Sequence, residues 1–356
     1  PRLEPELESD KFSIEEMKDI VKMVVNDATN DIEALSEWLV EKKKDIQRYE
    51  GERPSIIEGL QKRRWQSDRN LGLTAAFCDA YQATLLATCF NPDTIHFKAS
   101  EFNDIDNRDL LEEFTKWGIG PSEANIFPEV DDFIHNRINQ GFSVFYVNWK
   151  VWYEWVDRRI PNKKGSYDIK TENMRFERGT INNIDNLEDF LCPTYGKNVQ
   201  DLDHCIHILH MNADDLLDYS KRKIFSNINE TQIKKLRTAC FDYRVKQLGE
   251  EKAHQLGLKT SADVSSLDLR LFPIDIYSWY GTYEKNGKKE RYRFHVEPIT
   301  RTFCAGKPLR KINRKGKYPF IGGPLIRRPG LLRGKSLSKL IAPAVDAFNN
   351  VFNQKS

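Results

Sequence analysis

The sequence predicts an α+β fold, and three observations support that prediction. Apolar residues recur at helical spacing through residues 13–140. From Phe145 onward the spacing changes to the alternation of a β-strand. Further along, Asn286-Gly287 separates two aromatic segments, and this dipeptide is the preferred centre of a two-residue β-hairpin. We therefore expect a helical first part followed by antiparallel strands.

Four helices are expected before residue 141. Ser13, with Glu16 three residues later, forms a capping box that opens the first helix, and Gly51 and Pro54 end it. The other three are expected over about 71–90, 107–117 and 122–140, with Asn91-Pro92, Gly118 and Gly141 at their ends.

The first strand is rich in aromatic side chains. Its shared face carries Phe145, Val147, Trp149, Val151, Tyr153 and Trp155. Trp149, Trp152 and Trp155 are a candidate stacking platform for nucleic-acid bases. Because two of these three tryptophans share a face with four other apolar residues, we favour a buried core strand over a platform.

The middle of the chain mixes both element types. Residues 163–165 predict an exposed turn within a polar stretch, 158–198, that has no clear period. A strand is expected over 204–211, and helices over 213–224 and 230–256. The longer helix is polar almost all round, so it needs neighbouring helices or other subunits to be stable. Gly257 ends that helix, and the serine-rich residues 260–266 are typical of a linker.

The Asn286-Gly287 turn also predicts the register of its hairpin. Two-residue closure gives an aromatic face, on which Trp279 is opposite Phe294. The other face has the polar composition of a solvent-facing surface. Its expected pairs are Ser278 with His295, Tyr280 with Arg293, Thr282 with Arg291 and Glu284 with Lys289. We therefore expect a small sheet packed on one face.

Charge is segregated along the chain, although the formal net charge is only +2. Residues 1–60 hold 16 acidic and 9 basic residues, whereas residues 298–345 hold 12 basic residues and no acidic one. A basic block inside a folded chain indicates an anionic partner, either nucleic acid or an acidic protein surface. The basic residues are Arg301, Lys307, Arg310, Lys311, Arg314, Lys315, Lys317, Arg327, Arg328, Arg333, Lys335 and Lys339.

Length and composition narrow the class of protein. A chain of 356 residues predicts two or three domains at ~150 residues each. The six cysteines are scattered without a Cys-x-x-Cys pair, which argues against a disulfide framework and a structural zinc site. No apolar run reaches the ~18 residues of a membrane span, and no signal-peptide pattern opens the chain. We expect a soluble protein of a reducing cytoplasm, without a membrane partner.

Enzyme motifs are scarce. The dinucleotide, phosphate-loop, zinc-protease and serine-hydrolase motifs do not occur. Gly334-Lys335-Ser336 is similar to the end of a phosphate loop, but Pro329 stands where that loop needs glycine. On a strand, His207 lies on the face opposite His204 and His210, which favours a structural role over metal binding. Asp214-Asp215 fits the first turn of a helix. We expect no catalytic residue, no metal and no cofactor.

The last predicted helix begins at Ser336 as N-cap and carries one apolar stripe from Leu337 to Phe352. The stripe continues almost to Ser356, where no capping residue or turn is found, and the chain does not begin with Met. We therefore expect a segment of a longer protein.

The order of these elements resembles the portal proteins of tailed bacteriophages over most of the chain. In that family an amphipathic helix ends in glycine and continues into an aromatic strand, here residues 131–155. A polar helix, a small sheet with a hairpin and a closing segment follow. The closing segment is the most specific part: Tyr318-Pro319-Phe320, a Gly/Pro-rich stretch, Gly334-Lys335-Ser336, and a helix with Asp346, Asn349, Asn350, Asn353 and Gln354.

The resemblance implies a phage-portal-like architecture, with a helical and β wing, a helical stem and a small α/β clip that contains the antiparallel hairpin. Residues 1–227 correspond to the wing and 228–258 to the first stem helix. Residues 259–333 correspond to the clip with its basic loop, and 334–356 to the start of the second stem helix. The stretch 158–198 is less typical of the family.

The resemblance also implies a function. Portal proteins form a ring at one vertex of the capsid, expected here to be a dodecamer, and the ring is the channel for DNA packaging and ejection. The implied partners are further copies of the chain, double-stranded DNA, the terminase, the tail adaptor and the major capsid protein. A portal does not hydrolyse ATP, so no enzymatic activity is implied. The expected location is the virion, after assembly in the host bacterial cytoplasm.

Nine cations of the basic block are the candidate residues for binding DNA or a partner. Those expected on the clip exterior, facing the motor, are Lys307, Arg310, Lys311, Arg314, Lys315 and Lys317. Those expected nearer the channel are Arg327, Arg328 and Arg333. The alternative function is a sequence-tolerant nucleic-acid-binding protein or a nucleic-acid-processing enzyme that uses residues 298–345. A large symmetric ring without metal-dependent activity distinguishes the portal from both.

Overall fold

The computed structural model describes residues 11–51, 71–89, 96–98, 105–120, 125–161, 167–248 and 272–355. Helices and antiparallel strands both occur in these ranges, so the predicted α+β class is confirmed. The helices are α1 (Ile14–Tyr49), α2 (Leu73–Cys89), α3 (Ile105–Ile119), α4 (Ile126–Gln140), α5 (Ala213–Lys221), α6 (Glu230–Leu248), α7 (Leu309–Ile312) and α8 (Leu337–Lys355). The strands are β1 (Ser143–Pro161), β2 (Tyr167–Asn183), β3 (Phe190–Leu191), β4 (His204–Met211), β5 (Ile274–Lys285), β6 (Lys288–Glu297), β7 (Thr302–Pro308) and β8 (Phe320–Gly323).

Helix α1 begins where the capping box predicts. The backbone N of Glu16 donates to Ser13 Oγ at 3.2 Å, and the backbone N of Ser13 donates to the Glu16 carboxylate at 2.7 Å. The buried stripe of α1, which includes Ile20, Val24 and Leu35, packs on one face of the larger sheet. Gly51, at a φ of +80°, follows the end of the helix, as expected. Pro54 lies outside the described residues.

The larger sheet has five strands in the order β3-β4-β5-β6-β7. Its centre is the hairpin of β5 and β6, with Trp279 opposite Phe294 and Tyr280 opposite Arg293. Asn286 and Gly287 have φ values of +52° and +73°, the left-handed pair that a type I′ turn requires. The predicted hairpin and its register are therefore confirmed.

Away from the turn both faces of this hairpin are buried, so the expectation of a sheet packed on one face is wrong there; near the turn Thr282, Glu284 and Lys289 are exposed, as expected. The aromatic face belongs to the same core as α1. The face that was expected to meet solvent holds Ser278 and His295, which are only 0% and 6% exposed. The Phe225 ring, which follows α5, lies 5.2 Å from the ring of His295. A turn sequence determines which residues pair, but it does not determine what packs on either face.

The sheets join residues that lie far apart in the sequence. Strand β4, in the range expected for the wing, pairs with β5 of the expected clip from His204–Gly281 to Met211–Ile274. Strand β8, also in the expected clip, pairs with the start of β1. The described parts of the expected wing and clip therefore share sheets and cores.

Helix α6 occupies the described part of the predicted polar helix. Ile233, Leu236, Cys240 and Phe241 are buried on it. The first three belong to a core that α6 shares with α5 and the start of β5. The helix therefore has an apolar side that its own chain covers. Residues 249–256, Gly257 and the predicted linker 260–266 lie outside the described residues.

Strands β1 and β2 form a long two-stranded ribbon at the side of the smaller sheet, whose order is β2-β1-β8. Seventeen residue pairs join them, from Phe145–Asn183 to Pro161–Tyr167. Strand β8 covers the edge of β1 only over Ser143–Tyr146. We call residues 148–161 and 167–180 the arm. The sequence did not predict β2, and the predicted turn at 163–165 lies outside the described residues.

The aromatic face of the arm is exposed, so the expectation of a buried core strand is wrong there. Trp149, Tyr153 and Trp155 are 47%, 43% and 73% exposed. Burial is confined to the base of β1, where Val144 and Tyr146 enter a core. The side chains of Val151 and Trp152 lie outside the described residues. Alternating apolar residues predict a strand, but they do not show whether the rest of the chain covers it.

Helices α2, α4 and α8 pack together beside α1. Their shared core contains Cys78, Ile134 and Ile138, with Leu337 and Ile341 of α8 against it. Helix α4 ends at Gly141, whose φ is +77°, as predicted. Helix α3 continues past Gly118 to Ile119, so its predicted end is wrong by two residues.

Candidate partner-binding surface

The nine predicted site residues do not share one surface. Lys307 and Arg333 are buried, and Arg328 is half-buried. Five of the six exposed cations lie together in α7 and the turn that follows it, which we call the basic turn (residues 310–317). The exposed cations are Arg310, Lys311, Arg314, Lys315, Lys317 and Arg327.

The backbone of the basic turn is fixed by its own hydrogen bonds. Leu309, only 1% exposed, anchors α7 in the core. Asn313 Oδ1 then accepts from the backbone N of Lys315 at 3.0 Å, and Asn313 O accepts from Gly316 N at 2.7 Å. Gly316 has a φ of +58°, a conformation that favours glycine. The basic side chains are therefore displayed from an ordered turn.

Gln200 holds the chain where it leaves the basic turn. Its Nε2 donates to the carbonyl oxygens of Tyr318 and Phe320 at 2.8 and 2.9 Å, and its Oε1 accepts from Tyr318 N at 3.0 Å. The Tyr318 hydroxyl donates to Leu202 O at 3.0 Å. The Arg291 guanidinium lies 4.4 Å from the centre of the Tyr318 ring. The Tyr318-Pro319-Phe320 motif therefore anchors the basic turn to the rest of the chain.

The basic turn has little acidic compensation. Arg310 Nε lies 3.7 Å from Glu290 Oε1, and the Arg310 side chain is still 70% exposed. Within the described ranges, Arg314, Lys315 and Lys317 are not seen in an ion pair with any carboxylate. Clustered exposed cations of this kind raise the local potential and attract an anionic surface.

Lys307 and Arg333 are interior residues, so the expectation that they face a motor or a channel is wrong. Lys307 is 2% exposed, in a strand that is buried from Phe303 to Pro308. Arg333 is 5% exposed, and its guanidinium carbon lies 5.3 Å from the centre of the Trp38 ring. Its Nη2 also donates to Cys192 Sγ at 3.3 Å. Aromatic contact offsets part of the cost of burying this cation.

Arg328 forms an ion pair with the acidic helix of its own chain. Its Nη2 lies 3.3 Å from Glu41, and Lys339 Nζ lies 2.6 Å from the same carboxylate. Burial alone would raise the pKa of Glu41, but the hydrogen bonds and charges of Lys339 and Arg328 lower it instead. Arg328 therefore joins the basic block to α1.

The three histidines of β4 have three different environments. His204 Nε2 lies 3.1 Å from the Asp31 carboxylate. Burial alone would lower the pKa of His204, but the hydrogen bond that it donates to Asp31 and the charge of Asp27 raise that pKa. Burial lowers the pKa of His207 to about 4. Hydrogen bonds with Asp189 and Asp275 raise the pKa of His210 to about 10. Carboxylates of the same chain therefore hold His204 and His210, whereas His207 is buried in the core.

The segment Gly334-Lys335-Ser336 has a structural role. Here the chain passes close to the backbone of Gly141 and Ile326 before it enters α8, and we call this segment the crossing. Ser336 Oγ accepts from the backbone N of Lys339 at 3.0 Å, which confirms the predicted N-cap of α8. The same hydroxyl donates to Asp45 Oδ2 at 2.5 Å and so joins α8 to α1. The backbone of Lys335 forms an isolated antiparallel β-bridge with Ile326. Asp214 and Asp215 lie in the first turn of α5, as expected.

Within the ranges described above, no group of three or more His, Cys, Asp or Glu side chains is arranged to hold a metal ion. The same ranges contain no helix that is both long and apolar enough to cross a lipid bilayer. No protein-family model and no curated protein sequence matches this chain.

The sequence patterns did not lead us to predict two apolar surfaces that are exposed in the structure. One is a stripe on α3, and the other is a groove between α2 and α8. Leu110, Phe114 and Trp117 have the spacing of a helical stripe, which was the available signal. Because such a stripe is usually covered by its own chain, its exposure could only be seen in the structure.

Proposed function

We propose that this chain is a subunit of a bacteriophage portal. Its copies form a ring at one capsid vertex, through which double-stranded DNA is packaged and ejected, and on which terminase and tail adaptor dock. The observation that carries the proposal is the segment from Tyr318 to α8, the part most similar to portals. Tyr318 and Phe320 anchor the basic turn, and Ser336 caps α8. Each of these portal-like motifs has a structural role in the same segment, which favours a shared architecture over a chance similarity of short motifs.

Exposed apolar side chains support an assembly of several copies. Phe114, Trp155 and Phe348 are 63%, 73% and 67% exposed in the single subunit. Clustered apolar patches on a surface mark interaction sites. Head-to-tail contacts that close by rotation cover such patches without leaving a free end. We propose a cyclic homo-oligomer, with twelve copies as the family state.

The assembly is tested by negative-stain imaging and light scattering of the purified full-length protein. The expected result is a uniform population of rings with a central hole and a mass that is a fixed multiple of the subunit. A strict monomer at micromolar concentration would refute the portal function.

Within the ring, the basic turn is proposed to dock an acidic surface of terminase or adaptor. The test replaces Arg310, Lys311, Arg314 and Lys315 with Glu, all four of which are exposed. Rings are expected to form as before, while DNA packaging falls because attraction has become repulsion. The difference from wild type should narrow as salt rises, since the screening length is only ~8 Å at 0.15 M.

The matched control applies the same charge change to α1. Lys18, Lys22, Lys43 and Lys44 are also exposed, and their replacement with Glu should leave packaging unchanged. Equal packaging by the basic-turn variant and wild type would show that these cations only interact with solvent.

The same basic turn supports the second candidate, sequence-tolerant nucleic-acid binding. Binding of duplex DNA at several salt concentrations separates the two functions. A surface that contacts phosphates directly has a salt slope of about −0.9 per contact, so removing four cations should reduce the slope by about 3–4. A reduced slope favours nucleic-acid binding. An unchanged slope with lost packaging favours partner docking.

A further inference from the structure

Helix α3 carries an apolar stripe on the side that faces away from its own chain. Leu110, Leu111, Phe114 and Trp117 are 65%, 50%, 63% and 52% exposed. The rings of Phe114 and Trp117 lie 5.7 Å apart, so the two aromatic residues form one surface. This stripe is a large apolar surface without cover in the described subunit.

The opposite side of α3 is the side that its own chain holds. Glu112 pairs with Lys116 at 3.0 Å and lies 3.2 Å from His96 Nδ1. The backbone N of Phe97 also donates to Glu112 at 3.4 Å. Because these contacts fix the polar face toward residues 96–98, the apolar stripe is directed outward.

A groove of matching chemistry lies between α2 and α8. Its volume is about 330 Å³, within the ~300–1,000 Å³ typical of binding pockets. Every residue that lines it is apolar: Leu73, Phe77, Ile341, Ala344, Val345 and Phe348. Phe77 and Phe348 are 58% and 67% exposed, whereas Val345 is 6% exposed. The groove therefore has a buried floor and two exposed aromatic walls, as a helix-binding groove does.

We propose that the stripe of α3 docks into the α2/α8 groove of a second copy of this chain. The second copy is the occupant because each chain carries one unpartnered half of the contact, a convex helix and an apolar groove. The stripe and the groove lie on different elements of the chain, so the contact can repeat head-to-tail from copy to copy until rotation closes the assembly, as the proposed ring requires. The inference rests on the proposed ring and names the residues that build its subunit interface.

The size of the contact agrees with a repeated interface. The exposed parts of the four stripe residues amount to ~450 Å² at ~200 Å² per large side chain. Counted on both partners, this is below the ~1,200–2,000 Å² of a stable isolated pair. In a closed ring every copy makes the contact twice, so each weak contact is reinforced by its neighbours.

The experiment uses one variant for each half of the contact, Phe114→Asp and Phe348→Asp. Both side chains are more than half exposed, so the changes leave the subunit core intact, which far-UV circular dichroism and thermal unfolding verify. Each variant alone is expected to lose higher assemblies in sedimentation velocity, with association at least tenfold weaker, about 1.4 kcal/mol. Arg108→Glu, on another side of α3, is the control and should assemble as wild type does.

Mixing the two variants gives the decisive result. The Phe114→Asp chain keeps an intact groove and the Phe348→Asp chain keeps an intact helix, so an equimolar mixture can make one good contact. We expect a one-to-one pair at high micromolar concentration and nothing larger. A mixture that stays monomeric would overturn the proposal, as would either variant assembling like wild type.

The outcomes also separate this inference from the portal function. Rings that persist in both variants would overturn the docking contact and leave the ring standing. A wild type that forms only pairs, lost in both variants, would overturn the ring and support the docking contact.

Discussion

Replacing Gly334 with alanine tests whether the crossing beneath α8 is as tight as the structure indicates. A Cβ atom at this position would lie 2.2 Å from Ile326 O, 2.4 Å from Pro324 Cβ and 3.0 Å from Gly141 O. Two of these three atoms belong to backbone, which cannot rotate away as a side chain does. Gly334 does not have the left-handed φ that would add conformational strain, so the cost of the change is steric.

The expected magnitude follows from the contacts. Overpacking a well-packed site costs ~1–3 kcal/mol and occasionally more. Because the contact at 2.2 Å forces two backbone segments apart, we expect the free energy of unfolding to fall by about 3 kcal/mol. A domain has ~5–15 kcal/mol of stability, so the variant should fold but be clearly weakened.

Two other glycines provide matched controls. Gly323→Ala introduces a Cβ with nothing within 4 Å and no left-handed φ, so its effect should stay within ~0.5 kcal/mol. Gly330→Ala also meets open space, but its φ of +78° should cost ~1–2 kcal/mol. The three variants thus separate the steric cost from the conformational cost.

Urea unfolding monitored by far-UV circular dichroism measures all three variants. The midpoint should fall for Gly334→Ala without a change in the slope m, because the surface exposed on unfolding is almost the same. If Gly334→Ala matched Gly323→Ala, the crossing would be loose and the structural role assigned to Gly334-Lys335-Ser336 would be wrong.

Two further predictions concern the sheet. The pKa of His210 is raised to about 10, so its contribution to stability is complete below pH ~6.5 and is lost as pH rises toward 10. Since the side chain is 47% exposed, we expect His210 to contribute ~1–2 kcal/mol to the free energy of unfolding after solvent screening. In urea unfolding, the difference in that free energy between wild type and His210→Gln should shrink between pH ~6.5 and ~9.5. A constant gap would contradict the ion pairs with Asp189 and Asp275. Gly287→Val forces a β-branched residue to a φ of +73°, which should lower global stability by ~1–3 kcal/mol because the hairpin is central to the sheet. Hydrogen exchange should then quicken in β4 as well as in β5 and β6; faster exchange at the hairpin alone would show that the hairpin unfolds independently.

The parts of the fold that sequence predicts well are those set by neighbouring residues. The capping box at Ser13, the glycine end of α4 and the hairpin register all depend on a few adjacent positions. The two buried faces of the hairpin depend instead on α1 and on α5 with α6, which lie up to about 280 residues away in sequence. Local pattern carries no information on that packing, so the second face was wrongly expected to meet solvent.

The arm shows the same limit, but here a face that was expected to be buried is exposed. Strand β2 alternates polar residues with few apolar ones, and it forms through its pairing with β1. Period-two hydrophobicity therefore missed it, while the apolar face of β1 was wrongly expected to be core. Both errors arise because an alternating pattern indicates only that the backbone is extended, whereas pairing and burial depend on the neighbouring elements in the fold.

The candidate site was predicted in part. Clustering of cations in the sequence identified Arg310, Lys311, Arg314, Lys315 and Lys317, which the short turn keeps together. It also included Lys307 and Arg333, because a count of charges does not distinguish a surface cation from one buried against Trp38. The Trp38 ring and the Cys192 sulfur that contact Arg333 come from parts of the chain remote in sequence.

The hydrogen bond between Asp45 and Ser336 has a consequence for how the protein is made. Helix α1 is complete early in synthesis, but its contact on α8 is encoded about 290 residues later. At ~5–20 residues per second, a ribosome needs roughly 15–60 s to supply that partner. For most of this time the core face of α1 lacks the larger sheet, whose last strand ends at Pro308, and β1 lacks β8. Nascent chains are therefore most exposed to misfolding before translation passes residue 336, and chaperone binding should be concentrated in that interval.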